Sequence, residues 1–243
     1  MPPTIRKSNL EDIAIIHKWL QKEEERGIEG NFLCNHTTIQ NAHNNDELFV
    51  YLDKISRDPI AYLCHKDYDP QILQVLSGFR NRGIGREMFE YCYSLAYSAN
   101  KCIIKIQCAP DTSVPFWRKM GFYIERSHNH MTYGYCVIKK IIELPKEGND
   151  VYAVISFYPR SKEWDSLVNP IDVFSISARR DHSGIVHLSQ RIGIPGIEVD
   201  DVVVQLELDG DIIYKGKAKH EEAQQLGFKK CSNGYYIDII HSN

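Results

Sequence analysis

The stretch from Gln71 to Arg86 constrains the fold of this chain more than any other, because it joins a strand to a helix through a short basic turn. Residues 71–79 form a largely apolar run of strand type, and residues 80–85 read Arg-Asn-Arg-Gly-Ile-Gly. Apolar side chains then recur at helical spacing from Arg86 to Ala99. The sequence therefore predicts a strand, a tight turn and an amphipathic helix in direct succession.

This turn has the chemistry of an anion site. Gly83 and Gly85 have no Cβ, so the backbone can bend sharply and approach a ligand closely. Free N–H groups and the positive dipole end at a helix start attract anions, and Arg80, Arg82 and Arg86 add full charges. Gly-x-Gly alone is also typical of a surface turn, but strand, arginines and helix together favour pyrophosphate binding. The spacing matches neither a Walker loop nor a dinucleotide fingerprint.

Composition and charge exclude several classes of protein. The chain has 243 residues, of which 43% are hydrophobic, which argues against disorder over most of its length. A formal charge of −3 argues against a generally basic nucleic-acid binder. No apolar run approaches the roughly twenty residues of a membrane span, and the N-terminal residues contain no signal-peptide core. We therefore expect a cytoplasmic protein without a membrane segment.

The cysteines and histidines predict neither a disulfide framework nor a metal site. The seven cysteines are odd in number and include no Cys-x-x-Cys pair. His128 and His130 form the one close histidine pair, but the sequence supplies no third ligand beside them. We therefore predict buried thiols and no bound metal.

A linker at Leu144–Asp150, with Pro, Gly and charges between apolar segments, predicts two domains, residues 1–145 and residues 146–243. From Lys146 onward there are 11 Lys and Arg against 15 Asp and Glu, a net charge of −4, which leaves +1 for the first part. The second part is rich in strand-like runs, and Asp209-Gly210 is a strong hairpin signal. We therefore predict a β-rich second domain that is smaller than the first.

Periodicity and turn signals predict the elements of both parts. Ser8 and Glu11 have the form of a capping box for a first helix that ends near Arg26. The polar loop Gly27–Glu47 is expected to hold one short helix. Further helices are predicted at 86–99, 113–120 and 221–226. Strands are predicted at 48–52, 59–65, 71–79, 102–108, 122–142 (as one strand region), 151–158, 173–178, 202–208, 212–215 and 235–240.

Two motifs in order resemble a known family. Residues 80–85 resemble the Arg/Gln-x-x-Gly-x-Gly/Ala signature of the GNAT superfamily of acetyl-CoA-dependent N-acetyltransferases. Residues 115–122, Pro-Phe-Trp-Arg-Lys-Met-Gly-Phe, resemble that superfamily's closing motif, and a helix and a strand separate the two. The resemblance covers residues 4–142. It implies an α+β fold, an α/β sandwich in which helices flank a central mixed sheet.

The resemblance also implies a binding site for acetyl-CoA in a cleft where two central strands splay apart. The backbone of Val75 and Ser77 would pair with the pantetheine arm, and the turn and the amide of Arg86 would hold the pyrophosphate. Asp111 falls where the family often has Asn, and Trp117 would form a wall of the channel. The residues implied for acetyl-CoA binding are Val75, Ser77, Arg80, Asn81, Arg82, Gly83, Ile84, Gly85, Arg86, Asp111 and Trp117.

The implied reaction is direct attack of a neutral amine on the thioester, with the oxyanion met by a backbone N–H near Val75 or Leu76. Trp117 stands where many family members have a general-acid tyrosine, and an indole N–H is too weak an acid for that role. Proton transfer through water is the default expectation. Candidate catalytic residues are Asp111, Tyr133 and Tyr135. Other side chains that could line the cleft are Glu47, His65, Asp67 and Asp69.

The sequence is compatible with three functions. The first is an N-acetyltransferase whose acceptor is a primary amine on a small molecule, peptide or protein, with the polar loop 27–47 lining the acceptor pocket. The second is an acetyl-CoA-binding sensor or scaffold with weak catalysis. The third is a nucleic-acid-binding function of the second part, but the net charge of −4 on that part argues against it. The acidic part would suit a cationic acceptor or, alternatively, a homodimer interface.

Overall fold

The computed structural model describes residues 4–126, 130–158, 169–170, 172–195 and 203–241. The contacts divide the chain into two compact units, residues 1–100 with 104–134 (unit 1) and residues 101–103 with 135–243 (unit 2). The helices are α1 (Leu10–Glu25), α2 (His36–Asn44), α3 (Ile84–Ser98), α4 (Val114–Lys119) and α5 (Glu221–Gln225). The strands are β1 (Ile5–Lys7), β2 (Leu48–Leu52), β3 (Pro59–Lys66), β4 (Asp69–Val75), β5 (Ile103–Gln107), β6 (Tyr123–Arg126), β7 (Thr132–Val137), β8 (Asn149–Tyr158), β9 (Asp172–Arg180), β10 (Ile185–Pro195), β11 (Val203–Leu208), β12 (Asp211–Lys217), β13 (Lys229–Cys231) and β14 (Gly234–His241).

The sheet of the first half is interrupted between β4 and β5. β1 to β4 form an antiparallel sheet in the order β1-β2-β3-β4, and a separate three-stranded sheet has the order β5-β7-β6. β4 is therefore an edge strand in the described part of the chain. A continuous central sheet is not observed, but about half of the chain does adopt a mixed α/β fold, and the interruption leaves one edge of β4 open.

Helices cover both faces of the four-stranded sheet. In β2, Leu48, Val50 and Leu52 join the apolar cluster around α1 and α2. The alternate residues Phe49 and Tyr51 join the cluster with α3. Because both faces are buried, β2 and β3 are continuous apolar runs rather than alternating ones, and this pattern made their bounds readable from the sequence.

The first helix begins one residue later than predicted. Asn9, not Ser8, is its N-cap: Asn9 Oδ1 accepts the Asp12 N–H at 2.9 Å, and Asp12 Oδ2 accepts the Asn9 N–H at 2.7 Å. Arg6 makes a bidentate ion pair with Asp12, at 2.6 and 3.0 Å. Arg6 lies in β1, a three-residue strand that the charged N-terminal sequence did not reveal. The Ser8 hydroxyl is instead hydrogen-bonded to His43 Nδ1 at 2.7 Å.

Unit 2 carries a seven-stranded antiparallel sheet in the order β12-β11-β8-β9-β10-β14-β13. In β8, Val151, Ala153, Ile155 and Phe157 point into one apolar core that residues of the other long strands complete. The hairpin at Asp209-Gly210 is confirmed, since both residues have positive φ, 52° and 94°. The sheet gives the second part the predicted β-rich character.

The sequence predictions for this half differ from the structure at β10, at β13, which was not predicted, and at the linker. β10, an eleven-residue strand, was missed because polar Gln190 and Arg191 and the following Gly193 interrupt its apolar pattern. The segment 144–150 was predicted to be a linker, yet Asn149 and Asp150 belong to β8. The carbonyls of Pro145 and Lys146 accept hydrogen bonds from Arg179 at 2.8 and 3.4 Å. The domain boundary at residue 145 stays a prediction.

Candidate functional site

A cleft of about 760 Å³ lies in unit 1 along the open edge of β4. Its walls come from β4, the turn into α3, the residues after β5, and α4. The lining residues are Glu29, Gly30, Phe32, Pro70, Gln71, Ile72, Leu73, Gln74, Val75, Phe79, Arg80, Asn81, Gly83, Ile84, Gly85, Arg86, Gln107, Ala109, Pro110, Thr112, Ser113, Phe116, Trp117, Lys119 and Met120. The predicted strand–turn–helix segment therefore forms much of one continuous concave surface.

The register of β4 determines which backbone groups face this cleft. The Leu76 N–H donates to the Ile60 carbonyl at 2.9 Å, and Val75 lies opposite Ala61. In an antiparallel pair, hydrogen-bonded and non-hydrogen-bonded residue pairs alternate. Leu73 and Val75 consequently direct their N–H and C=O groups away from β3, toward the open edge. The Leu76 N–H, one of the two amides expected near the oxyanion, is used by β3, and that of Val75 is not.

Ser77 does not take the position expected of it. Its N–H donates to Glu23 Oε1 at 2.6 Å, and its carbonyl accepts the Arg80 N–H at 3.2 Å. Both backbone groups of Ser77 are thus engaged inside the protein, and the residue does not line the cleft. β4 ends at Val75, and residues 77–79 form a 3₁₀ turn instead of continuing the predicted strand.

Glu23 is a buried acid that the sequence reasoning missed. Its carboxylate accepts the Ser77 N–H and, at 3.1 Å, the side-chain amide of Gln74. Gln74 Oε1 in turn accepts the Tyr62 hydroxyl at 3.0 Å and the Phe32 N–H at 3.2 Å. Burial raises the pKa of Tyr62 well above its ordinary value, so its hydroxyl remains a donor.

The spacing of α1 contained a signal for Glu23. Ile16 and Leu20 are buried on the core side of the helix, and Glu23 follows at the next position of the same stripe. In the sequence, Glu23 stands among charged neighbours at residues 22–26, which suggest a solvated helix end. A charged residue on an apolar stripe is unusual enough to indicate a partner in the fold.

The N-terminus of α3 is open. Gly83 is its N-cap with φ +85°, Asn81 two residues earlier has φ +62°, and no side chain caps the helix. The Glu87 N–H bonds to the Gly83 carbonyl at 3.1 Å, so the amides of residues 84–86 are those without an intrahelical acceptor. The Glu87 side chain accepts the Tyr51 hydroxyl at 2.9 Å. Within the part of the chain that the structure describes, these first-turn amides have no protein acceptor, and residues 83–86 line the cleft.

The charges of the lining are mainly positive. Arg80, Arg86 and Lys119 line the cleft, against Glu29 as the one carboxylate among its described lining residues. Arg80 Nε donates to the Val75 carbonyl at 3.0 Å, which fixes the guanidinium beside β4. Arg82 lies outside the lining. It donates to the Gly78 carbonyl at 2.9 Å and lies 5.0 Å from the Phe79 ring centre.

α4 forms an aromatic wall. Trp117 is buried and contacts the rings of Phe89, Phe116 and Phe122, with centroid distances of 5.9, 4.9 and 5.1 Å. A Cβ built on Gly85 would lie 3.4 Å from the Phe116 ring, so glycine permits close packing of the two helix starts.

Ser113 adds a polar atom to this wall. Its hydroxyl is buried, lines the cleft and has no hydrogen-bond partner among the described residues. A buried polar atom without a partner costs free energy, so this hydroxyl is available to a ligand in the cleft.

No family model and no curated protein matches this chain. Solved structures do match. A GNAT-family acetyltransferase from Staphylococcus aureus is 13% identical over 55% of this chain and 98% of its own, with a TM-score of 0.45. Ard1 from Thermoplasma volcanium is 16% identical over 56% and 97%, with a TM-score of 0.43. The PaiA N-acetyltransferase of Thermoplasma acidophilum, solved with coenzyme A, is 12% identical over 55% and 97%, with a TM-score of 0.42.

The matched structures are GNAT-type acetyltransferases. They cover about 55% of this chain, and the GNAT superfamily is the one that the motifs of the sequence resemble.

The cleft contains most of the residues expected to bind acetyl-CoA, and three lie elsewhere. Ser77 and Arg82 are engaged as described above, and Asp111 is exposed, beside the wall rather than in it. Asp111 lies close to Cys108, whose pKa rises to about 11 through burial and, secondarily, through this carboxylate. The expected residues that do line the cleft are Val75, Arg80, Asn81, Gly83, Ile84, Gly85, Arg86 and Trp117.

The candidate catalytic tyrosines also lie outside the lining. The Tyr133 hydroxyl donates to Met131 Sδ at 3.4 Å, and the Lys105 ammonium lies 4.6 Å from its ring centre. Tyr135 is buried and belongs to unit 2. The other acids and the histidine considered, Glu47, His65, Asp67 and Asp69, are not lining residues either. The site therefore presents no tyrosine to the cleft.

The described residues contain no group of three His, Cys, Asp or Glu arranged to hold a metal, and His128 lies outside the described residues. No described helix is both long and apolar enough to cross a membrane.

Proposed function

We propose that unit 1 is an acetyl-CoA-dependent N-acetyltransferase that acts on a primary amine. One observation carries the proposal: the unpaired edge of β4 leads directly to the uncapped N-terminus of α3 within one cleft. An open strand edge accepts an extended, amide-bearing chain by backbone pairing. An uncapped helix start accepts a phosphate. Acetyl-CoA carries both features, with its pyrophosphate at one end of the pantetheine arm.

The positive lining supports the phosphate end of this proposal. The free amides of residues 84–86 supply directed donors, and the dipole of the fifteen-residue helix α3 adds its positive end. Arg86 and Lys119 supply full charges at the same cleft. Glu87 is the acidic residue in the first turn of α3, and its carboxylate already accepts a hydrogen bond from the Tyr51 hydroxyl.

The edge of β4 and the opposite wall support the pantetheine end. The N–H and C=O groups of Leu73 would pair with the amides of the arm, as would the lone pair of the Val75 carbonyl that Arg80 does not use. The Ser113 hydroxyl would find the partner that it lacks. The aromatic wall around Trp117 would exclude water from the other side. These residues fit an acetyl-CoA molecule without any change in their roles.

Bound acetyl-CoA supplies a thioester that a neutral amine attacks, so that the C–N bond forms and the C–S bond breaks. The Val75 N–H is free to stabilise the oxyanion, because β3 already uses the Leu76 N–H. The ammonium proton leaves through water toward Glu29, the carboxylate of the lining. The leaving thiolate takes its proton from water, because Trp117 cannot donate one.

The acceptor is proposed only as a class, a primary amine on a small molecule, a peptide or a protein. The acidic charge of residues 146–243, −4 in net terms, favours a cationic acceptor. A homodimer through this part is the alternative use of the same charge. We also propose that residues 146–243 form a second domain.

The test combines binding and turnover. Calorimetry should show acetyl-CoA binding that weakens with added salt, and chromatography should show free CoA when polyamines, amino acids or peptides with free N-termini are added. An absence of acetyl-CoA binding at millimolar concentration would overturn the proposal. Binding without turnover on every amine would support the second candidate, a sensor or scaffold, which the tryptophan at position 117 favours.

A further inference from the structure

Unit 2 contains a cluster of two cysteines and an ion pair that the proposed function does not use. Cys102 is 6% exposed, and its sulfur accepts a hydrogen bond from Arg191 Nη1 at 3.3 Å. The two residues are 89 positions apart, and residues 101–103 belong to unit 2 by their contacts. A guanidinium directed at a cysteine sulfur stabilises the thiolate form of that cysteine.

Arg191 is held in place by its other partners. Its Nε and Nη2 donate to the two carboxylate oxygens of Asp238 at 2.8 and 2.6 Å. Its guanidinium lies 4.4 Å from the Tyr236 ring centre. A bidentate pair and an aromatic face fix the orientation of the guanidinium. The cation is therefore presented to Cys102 in a defined geometry.

The second thiol, Cys231, lies on a turn beside Cys102, and the two side chains interact. Cys231 ends β13 and lies opposite Gly234 across a tight turn, where it is half-buried. The Asn233 side chain in this turn donates to the Ile103 carbonyl at 3.1 Å. This bond ties the turn that carries Cys231 to the residue that follows Cys102.

The pKa values of the two thiols are shifted in opposite directions. The hydrogen bond from Cys231 and the charge of Arg191 lower the pKa of Cys102 to about 7, although burial opposes them. The same hydrogen bond and burial raise the pKa of Cys231 far above its ordinary value. Ionisation of the pair is therefore favoured at Cys102, the nucleophile, while the proton stays on Cys231.

We propose that Cys102 and Cys231 are a peroxide-reactive pair that closes into a disulfide. The Cys102 thiolate attacks one oxygen of hydrogen peroxide; the O–O bond breaks, a sulfenic acid forms and, after protonation, water leaves. The Cys231 sulfur then attacks the sulfenic sulfur, the S–S bond forms and a second water leaves. The two thiols lose two electrons, and peroxide takes them up.

The other described cysteines provide internal comparisons. Burial raises the pKa values of Cys64, Cys108 and Cys136, the last two to about 11. Cys34 is exposed, and its thiol donates to the Asn35 side chain at 3.2 Å. Cys34 thus has access to solvent without a cation at its sulfur, which makes it the matched control for reactivity.

The experiment treats the full chain with one equivalent of hydrogen peroxide, followed by alkylation and mass spectrometry. We expect the mass to fall by two hydrogens and the tryptic peptides 102–105 and 231–243 to appear linked. Cys34→Ser should behave like the parent protein. Cys231→Ser should stop at a Cys102 sulfenic acid that dimedone traps, and Cys102→Ser should form no linked peptide.

Arg191→Lys tests the cation in a folded protein, with circular dichroism as the control for folding. The alkylation rate of Cys102 should rise with pH through an inflection near 7 in the parent protein and at higher pH in the variant. Faster oxidation of Cys34 than of Cys102, or peroxide-treated Cys102 and Cys231 that remain unlinked, would overturn the proposal.

Discussion

The two long helices of unit 1 begin in opposite ways. At α1, the side chains of Asn9 and Asp12 close the first turn, and Arg6 neutralises the acid. At α3, Gly83 supplies only its backbone, and no side chain caps the helix. Every helix starts with amides that lack an intrahelical acceptor. At α1 side chains of the protein accept the Asn9 and Asp12 amides, whereas at α3 no side chain does so, and we propose that a ligand takes this place.

The largest effect should come from a negative charge at the open helix start. We expect Gly83→Asp to abolish acetyl-CoA binding, because the negative charge of the carboxylate would repel the pyrophosphate at the open helix start. Gly83→Asn is the matched control, since Asn tolerates the positive φ of this position, 85°, without adding charge. Calorimetry should show binding to the Asn variant and none to the Asp variant. Equal affinity of the two variants would show that the start of α3, like that of α1, has only a structural role.

The next largest effect, on stability, is expected at Glu23 near the end of α1. Its carboxylate accepts the Ser77 N–H and so holds the turn into α3. The Ser77 N–H and the Gln74 amide donate to different oxygens of Glu23, and Glu23→Gln replaces one of these acceptors with an NH2 donor. This variant should lose about 1–3 kcal/mol of unfolding free energy. Denaturant titration measures the loss. Acetyl-CoA affinity should also fall, because Ser77 and Arg80 shape the turn. Glu24→Gln, at an exposed position, is the control and should change neither.

A smaller effect is expected at the closed helix start. Asn9→Ala removes the capping oxygen and should cost about 1 kcal/mol of unfolding free energy. Acetyl-CoA affinity should stay unchanged, because α1 begins away from the cleft lining. A change in affinity comparable to that of the Gly83 variants would remove the distinction between the two helix starts.

The smallest effect is expected at the aromatic wall beside α3. Trp117→Phe keeps an aromatic ring against Phe89 and Phe122 and should cost about 1 kcal/mol of stability at most. Turnover should remain near that of the parent, measured as CoA release with the best amine. Loss of a general acid typically lowers the rate about a hundredfold or more, so a loss of that size with binding intact would identify the indole as part of the proton path.

The sequence predicted local features well. β2 was predicted at its observed bounds, α4 to within a residue, and the hairpin at Asp209-Gly210 correctly. The first cap was misplaced by one residue because Ser8-x-x-Glu11 and Asn9-x-x-Asp12 both fit a capping box. Tertiary contacts distinguish them: Arg6 of β1 pairs with Asp12, and the Ser8 hydroxyl is hydrogen-bonded to His43. β1 is too short to show a period.

Distant contacts were harder to predict. The strand predicted over 71–79 ends at Val75, because the carboxylate of Glu23 and the 3₁₀ turn take over at Ser77. β10 was missed because its polar Arg191 pairs with Asp238, 47 residues away. In each case a side chain that looked exposed in the sequence is satisfied by a partner far along the chain.

The sequence by itself determined the strand, the glycine turn and the amphipathic helix at residues 71–98, and with them the resemblance to GNAT acetyltransferases. Such features depend on the conformational preferences of neighbouring residues. The tertiary structure alone decided that β4 is an edge strand, that Glu23 meets Ser77 across 54 residues, and that Cys102 meets Arg191 across 89. Packing of distant segments sets which polar groups remain open to a ligand, and no local pattern encodes it.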